Sequence, residues 1–379
     1  MPVIYQINLQ RTFGGGEVYT RFFTQALQAN GYQVVLFIAK QAGFWRDLGL
    51  SQVELHAVDT EDDILTLLPH NRCVIFTHTA CGTQFAKIVS ARHVLAGLMH
   101  MPLYERLPDS YRFYTRLLGV SKHVIASARS RGLVNVDDTP MYAVADLAPR
   151  RISGALGVQT ASVYDWDQRK FRDRLLSFVY PLRMFLRKKS MFQRRPGLTL
   201  AVVSRITPIK QFPLLFSLLA PILKKYPQVQ IEFFGAGGYA SVRDLRKTLW
   251  PIRQQVRFWG QQQDVASIYA NVDAVLSGLP EKEALGLNLL EAQAFGRPVI
   301  AVNAAPFTET VYDGVTGYLY TDPRQDNGLG FERLLQRLLS EQVSQLQKQN
   351  MDAKAHLARF SKATFERRVN AAVLALAAL

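Results

Sequence analysis

The chain has 379 residues, enough for two domains of ordinary size, and 48% of them are hydrophobic, ample for packed cores. Its 45 Lys and Arg against 30 Asp and Glu leave a formal charge of +15, which suits anionic partners: phosphorylated ligands, anionic lipid or nucleic acid. No apolar run reaches the roughly 20 residues of a spanning helix. The N-terminus lacks a signal-peptide pattern, and Cys73 and Cys81 have no metal-like neighbours, so they read as reduced core residues of a cytoplasmic protein.

The first half alternates strand-like and helix-like segments. Val3–Asn8 is a short apolar run, followed by Gly14-Gly15-Gly16 and a helical pattern over Glu17–Asn30 that stops at Gly31. Val34–Ile38, Val53–Val58, Cys73–Thr77, Val94–Met99, Leu117–Val120 and Met141–Val144 are further strand candidates. Residues 168–195 carry ten Lys or Arg against one acid, Asp173, with Phe171, Leu175, Phe178, Leu182, Phe185 and Leu186 at near-helical spacing. That pattern suits a helix lying on an anionic membrane surface, or an interdomain helix with an apolar side in the core. Pro181 is expected to bend or break it.

The second half repeats the alternation. Strands are expected at Leu198–Val203, Val229–Phe234, Val256–Trp259, Ala274–Ser277 and Val299–Val302. Helices are expected at Phe212–Lys224, Val242–Leu249, Val265–Ala270 and Leu287–Phe295, with a last one at Phe360–Leu379. Alternation of this kind implies parallel sheets covered on both faces, so the fold class is α/β with two doubly wound domains. The expected boundaries are 1–195, including the basic segment 168–195, then 196–360, then a C-terminal helix over 361–379.

The densest chemistry lies in PEKEALGLNLLEAQAFG, residues 280–296. A helix starting near Leu285–Leu287 puts Glu283 in the loop before it and Glu291 one to two turns inside. The free N–H groups of that helix start can take an anion. One segment then offers a carboxylate to a polar ligand, N–H groups to a phosphate and a second carboxylate to a diol. Arg205 and Lys210 follow the strand Leu198–Val203, at the carboxyl end of a sheet, where two cations can neutralise a leaving diphosphate. The glycine loop lets a ligand approach the backbone, though three glycines alone make neither a dinucleotide fingerprint nor a P-loop. His78 and His100 each follow a strand, where a histidine can bond a sugar hydroxyl. No His, Cys or acid cluster has metal-ligand spacing, and no nucleic-acid-binding motif accompanies the basic segment.

Together, Glu283-x7-Glu291, Arg205-x4-Lys210, Gly14-Gly15-Gly16-Glu17 and Gly314-Val315-Thr316-Gly317-Tyr318 resemble glycosyltransferase family 4. The resemblance implies a GT-B fold, two Rossmann-like domains facing across a cleft, and a retaining, metal-independent hexosyltransferase. It implies that Arg205 and Lys210 hold the donor diphosphate, that Glu283 contacts the donor sugar and that the Leu285, Gly286 and Leu287 backbone meets sugar or phosphate. Glu291 would bond the ribose, Gly15 and Gly16 would line the phosphate side, His100 would sit near the transferred sugar, and the turn at Trp259 and Gly260 would lie near the nucleobase. The C-terminal helix would cross back onto the N-terminal domain. Ser204 and Gln211 depart from the glycines usual beside the arginine and the lysine, and Asn303-Ala304-Ala305-Pro306 lacks the usual paired glycines.

The expected partners are a nucleotide sugar as substrate, with no further cofactor and no metal, a glycan or lipid-linked acceptor, and an anionic membrane surface. Nucleic acid is not expected. The expected setting is cytoplasmic, peripheral on the inner face of the cytoplasmic membrane, in lipopolysaccharide or cell-surface polysaccharide assembly. The rival readings are a nucleotide-sugar epimerase of the same fold and a basic membrane- or nucleic-acid-binding protein.

Overall fold

A computed structural model of the chain describes residues 2–104, 107–144, 158–167, 169–186, 190–340 and 351–379. Residues 168 and 187–189 of the basic segment lie outside the described residues. The chain divides into two compact units, Met1–Asp146 with Ala358–Leu379, and Leu147–Leu357.

The first unit holds six strands: β1 (Val3–Asn8), β2 (Gln33–Ala39), β3 (Val53–Val58), β4 (Val74–Thr77), β5 (Val94–Met99) and β6 (Arg116–Gly119). They form one parallel sheet in the order β3-β2-β1-β4-β5-β6. The central strands β4 and β5 are buried along their whole length, as strands covered on both faces must be. Some helices start where a side chain can take an orphan N–H. Ser121 Oγ accepts from Val124 N at 3.1 Å to open the helix Lys122–Ser130. The C-terminal helix Lys362–Ala377 belongs to this unit, with Val369 and Val373 buried. Asn30 Nδ2 donates to the Glu366 carbonyl at 3.0 Å, and the Tyr32 hydroxyl to Asn370 Oδ1 at 3.0 Å.

The second unit repeats the plan with β7 (Leu198–Val203), β8 (Val229–Phe234), β9 (Val256–Gly260), β10 (Ala274–Leu276), β11 (Val299–Val302) and β12 (Gly317–Tyr320). The order is β12-β11-β10-β7-β8-β9, again all parallel. Its core puts Leu200, Ile231, Val275 and Ile300 of the sheet with Leu215, Phe216 and Leu219 of the helix Phe212–Leu223, all fully buried. Each such side chain contributes about 1.5–3 kcal/mol of burial. In each sheet the chain reverses its direction of growth once, between β1 and β4 and between β7 and β10. A crevice opens at the carboxyl ends of strands at such a reversal.

Three expectations are corrected. Met141–Val144 is not a strand. Met141 N donates to the Gly119 carbonyl at 2.9 Å, but the Met141 carbonyl is taken by the Tyr19 hydroxyl at 2.6 Å, so a side chain replaces the next strand. Gly317–Tyr320 is a strand that four residues between turns did not announce. Pro181 does not end its helix, which runs from Phe171 to Leu186. The lost N–H bond is tolerated there because Pro181 faces water. The described part of the basic segment and the stretch before it pack within the second unit. In that preceding stretch Ala161 N donates to the Trp259 carbonyl at 2.8 Å and Asp165 N to the Gly237 carbonyl at 2.8 Å, and in the segment itself Phe192 N donates to the Val158 carbonyl at 2.6 Å.

Candidate active site

In the second unit the loops after β7 and β10 meet at the reversal point. After β7 the chain turns through Pro208–Lys210, closed by Lys210 N donating to the Thr207 carbonyl at 3.1 Å. Gln211 then takes a left-handed conformation, φ 52°. This is the conformation that favours glycine, which explains why a glycine is usual beside that lysine. After β10, Glu283 N donates to the Pro280 carbonyl at 2.9 Å, and Gly286 (φ 79°) turns the chain into the helix Leu287–Ala294. The Lys210 ammonium donates to Glu283 Oε2, joining the two loops in a half-buried ion pair.

No side chain caps the helix Leu287–Ala294; Leu289 N donates to the Gly286 carbonyl at 2.9 Å, while the N–H groups of Leu287 and Asn288 precede any intrahelical acceptor. Leu285 is buried, so it offers a ligand only its backbone. Glu291 lies one turn inside, the position i+4 from Leu287, and accepts from the Tyr269 hydroxyl at 3.1 Å. Burial pushes the Glu291 carboxyl above the usual carboxylate range, and the Tyr269 hydrogen bond works against it. Arg205 sits on the β7 loop but is held by Asp165, at 3.6 Å, from the segment before the basic helix. The structure thus joins Lys210 directly to Glu283 and ties Arg205 to a residue that sequence reasoning missed. No local signal marks Asp165 or Tyr269, because each reaches the site from a distant stretch of chain.

Trp259 is turned inward. It is buried, and its indole N–H donates to Glu232 Oε2 at 2.7 Å. Glu232, fully buried on β8, also accepts from Arg195 at 3.1 Å and from Arg257 Nε at 2.9 Å, a network that locks residues 192–195 to the sheet edge. The ring therefore works in the core, and the turn can offer a base only backbone. Gly260 (φ 75°) is required there, since a Cβ would lie 2.3 Å from the Ser162 carbonyl oxygen.

In the first unit the loop after β1 carries Gly14–Gly16 into the helix Gly15–Ala29, which no side chain caps. A Cβ on Gly16 would meet nothing within 4 Å, so packing inside the chain does not demand glycine there. His78 follows β4 and His100 follows β5, and their rings stack at 5.5 Å. The Thr24 hydroxyl donates to the Thr20 carbonyl (2.9 Å), so Thr24 Oγ1 accepts from Gln6 Nε2 (2.8 Å). Gln6 Oε1 then accepts from His78 Nε2 at 2.8 Å. Burial holds both imidazoles neutral, His78 well below the usual range and His100 at about 4. His78 Nδ1 is therefore a lone pair, and it accepts from His100 Nε2–H at 3.2 Å. His100 Nδ1 is left unprotonated, an acceptor for a hydroxyl. Sequence reasoning placed both histidines beside strand ends but missed the Gln6–Thr24 relay that sets their protons.

Residues 187–357 match the family described as Glycosyl transferases group 1. That match covers less than half of the chain; the likeness to solved structures shows that the whole chain has the GT-B fold. The sequence is similar to the D-inositol 3-phosphate glycosyltransferase of Corynebacterium kroppenstedtii, 32% identical over 131 residues that make up 32% of this chain and 28% of that protein. It is also similar to a phosphatidyl-myo-inositol mannosyltransferase of Mycolicibacterium smegmatis, 29% identical over 181 residues, 47% of this chain and 43% of the relative. The alignments thus span less than half of these relatives. In fold it resembles Anabaena HepE, solved in complex with UDP and glucose, with a TM-score of 0.68 at 16% identity over 99% of this chain and 100% of that one.

Proposed function

We propose that the chain transfers a sugar from a nucleotide-sugar donor to an acceptor hydroxyl with retention at the anomeric carbon. The observation that carries this reading is the Lys210–Glu283 pair beside the uncapped start of the helix Leu287–Ala294. When the bond from the anomeric carbon to the diphosphate oxygen breaks, its electron pair goes to the diphosphate. Lys210 and the helix N–H groups, aided by Arg205, neutralise that growing charge without a metal. Glu283 holds a donor sugar hydroxyl, Glu291 accepts from the ribose, and the backbone from Gly260 onward meets the base. The acceptor oxygen attacks on the face that the diphosphate leaves, and its proton passes to the departing phosphate oxygen. Within the first unit, His100 Nδ1 is an acceptor suited to a sugar hydroxyl, and the loop at Gly15 and Gly16 lets a ligand approach the backbone.

The acceptor in this reading is membrane-borne, a lipid-linked glycan of cell-surface polysaccharide or lipopolysaccharide type, and the enzyme works peripherally on the inner face of the cytoplasmic membrane. The similarity to a phosphatidyl-myo-inositol mannosyltransferase and the net charge of +15 support it. No described helix is long and apolar enough to cross a membrane. The test is a panel of UDP-, GDP-, ADP- and dTDP-sugars in EDTA, read by donor hydrolysis and thermal shift. One donor should stabilise the wild type and turn over slowly, and Glu291→Ala and Lys210→Ala should lose both effects. If no donor gives a response, the transferase assignment is wrong.

A further inference from the structure

The helix Phe171–Leu186 keeps a large apolar face in water. Phe171 is 73% exposed, Leu175 56%, Phe178 85%, Val179 50% and Leu182 63%. These positions recur at helical spacing and make one stripe along the rod. The opposite side does the packing. Asp173 is buried and accepts from Asp167 N at 3.2 Å, while the Tyr180 ring lies 5.4 Å from Tyr164 and 5.5 Å from Trp166. The helix is therefore anchored to the second unit by its polar and aromatic side, and the apolar stripe is not core.

Cations border the stripe. Arg172 and Arg174 flank it within the helix, Arg169 and Lys170 precede it, both well exposed, and Arg187-Lys188-Lys189 follow in the sequence. Asp167 already pairs with Arg169 and Lys170, and Asp173 with Arg172, so the four cations Arg169, Lys170, Arg172 and Arg174 still outnumber these two acids by two. A second copy docked stripe to stripe would bring two sets of these cations together with no acid left to answer them. A phosphate backbone would satisfy the charges but has no use for the Leu and Val side chains between them. An anionic bilayer answers both, with headgroups for the cations and the acyl boundary for the stripe.

We propose that the face Phe171–Leu175–Phe178–Val179–Leu182 docks on an anionic phospholipid surface, with the helix lying in the plane of the interface. The choice of a bilayer rests on the proposed membrane-borne acceptor, while the exposed stripe and its charges stand without it. The experiment is flotation of the full chain with phosphatidylglycerol–phosphatidylcholine vesicles and with phosphatidylcholine vesicles. It compares wild type, Phe178→Glu/Leu182→Glu, Arg169→Ala/Lys170→Ala/Arg174→Ala and Lys210→Met. Wild type should bind the anionic vesicles and release at high salt. The glutamate pair should bind roughly tenfold more weakly or less, with unchanged circular dichroism and melting. The alanine triple variant should lose most of the preference for anionic lipid.

Equal vesicle binding by wild type and the glutamate pair would overturn the proposal. So would no binding by wild type, or a wild-type dimer that the glutamate pair turns into a monomer. Loss of binding to duplex DNA but not to vesicles in the glutamate pair would also overturn it. Lys210→Met should bind vesicles like wild type. Vesicle binding without donor turnover would sink the transferase reading alone, and donor turnover without vesicle binding would sink the docking face alone.

Discussion

Replacing Lys210 by methionine keeps the stem of the side chain and removes its charge. In the folded chain this leaves Glu283, half-buried, without the ammonium that it accepts from. A charge-assisted hydrogen bond is worth about 1.5–3 kcal/mol, and partial exposure to water puts the loss here near the lower end. For a unit of this size that lowers the melting temperature by roughly 2–4 °C for each kcal/mol. The effect on turnover should be larger, because the charge on the leaving diphosphate exists only as the bond breaks. Loss of one preorganised donor of this kind costs about 10²–10³ in kcat. The assay is transfer or donor hydrolysis under saturating donor, with the melting temperature measured in parallel. A Lys210→Met/Glu283→Gln double variant should melt above the sum of the two single losses, by about 1 kcal/mol, because neither charge is left alone. A folded Lys210→Met enzyme with kcat within threefold of wild type would refute the reasoning.

Trp259→Phe removes one donor from the buried Glu232, so it should destabilise by about 1–3 kcal/mol while leaving donor affinity unchanged; a weakened donor KM without loss of stability would return the indole to the binding site. His78→Phe and Gln6→Leu should each lower kcat and spare donor KM, because they free His100 to take the other tautomer, and His78→Gln should recover part of the loss. If all three match wild type, the relay has no functional role. The pH dependence follows from His100, whose pKa burial lowers from 6.5 to about 4. The unfolded chain takes up the proton first as the pH falls, so this contribution is full above pH 6.5 and is lost progressively down to about pH 4. It amounts to about 3 kcal/mol, and His100→Gln should reduce the pH dependence of the denaturation midpoint over that window, leaving the part due to the buried His78. Gln211→Gly relieves a left-handed conformation and should raise the melting temperature by a few degrees, about 1 kcal/mol; a fall would mean the glutamine side chain matters more than its backbone.

The element order and both sheets were legible in the sequence wherever an apolar run was long and bounded by turn residues, as at Val3–Asn8 or Leu198–Val203. Central strands of parallel sheets must be apolar on both faces, so their sequence carries the signal alone. Lys210, Glu283, Gly286 and Glu291 were legible for a related reason. They sit on two loops at one reversal of strand order, and their spacing within each loop is local information.

The tertiary structure decided what each of those groups touches. Gly317–Tyr320 and Met141–Val144 were misjudged because a short edge segment is defined by its neighbour's hydrogen bonds and not by its own residues. Trp259 looked available for a ligand until β8 placed Glu232 beneath it, and Asp165 and Tyr269 became site residues only when folding brought them from elsewhere. The amphipathic pattern of 171–182 allowed a core face or a surface face equally, since periodicity records that a helix has two sides. Only the packing of Asp173 and Tyr180 showed which side the protein covers and which it leaves exposed.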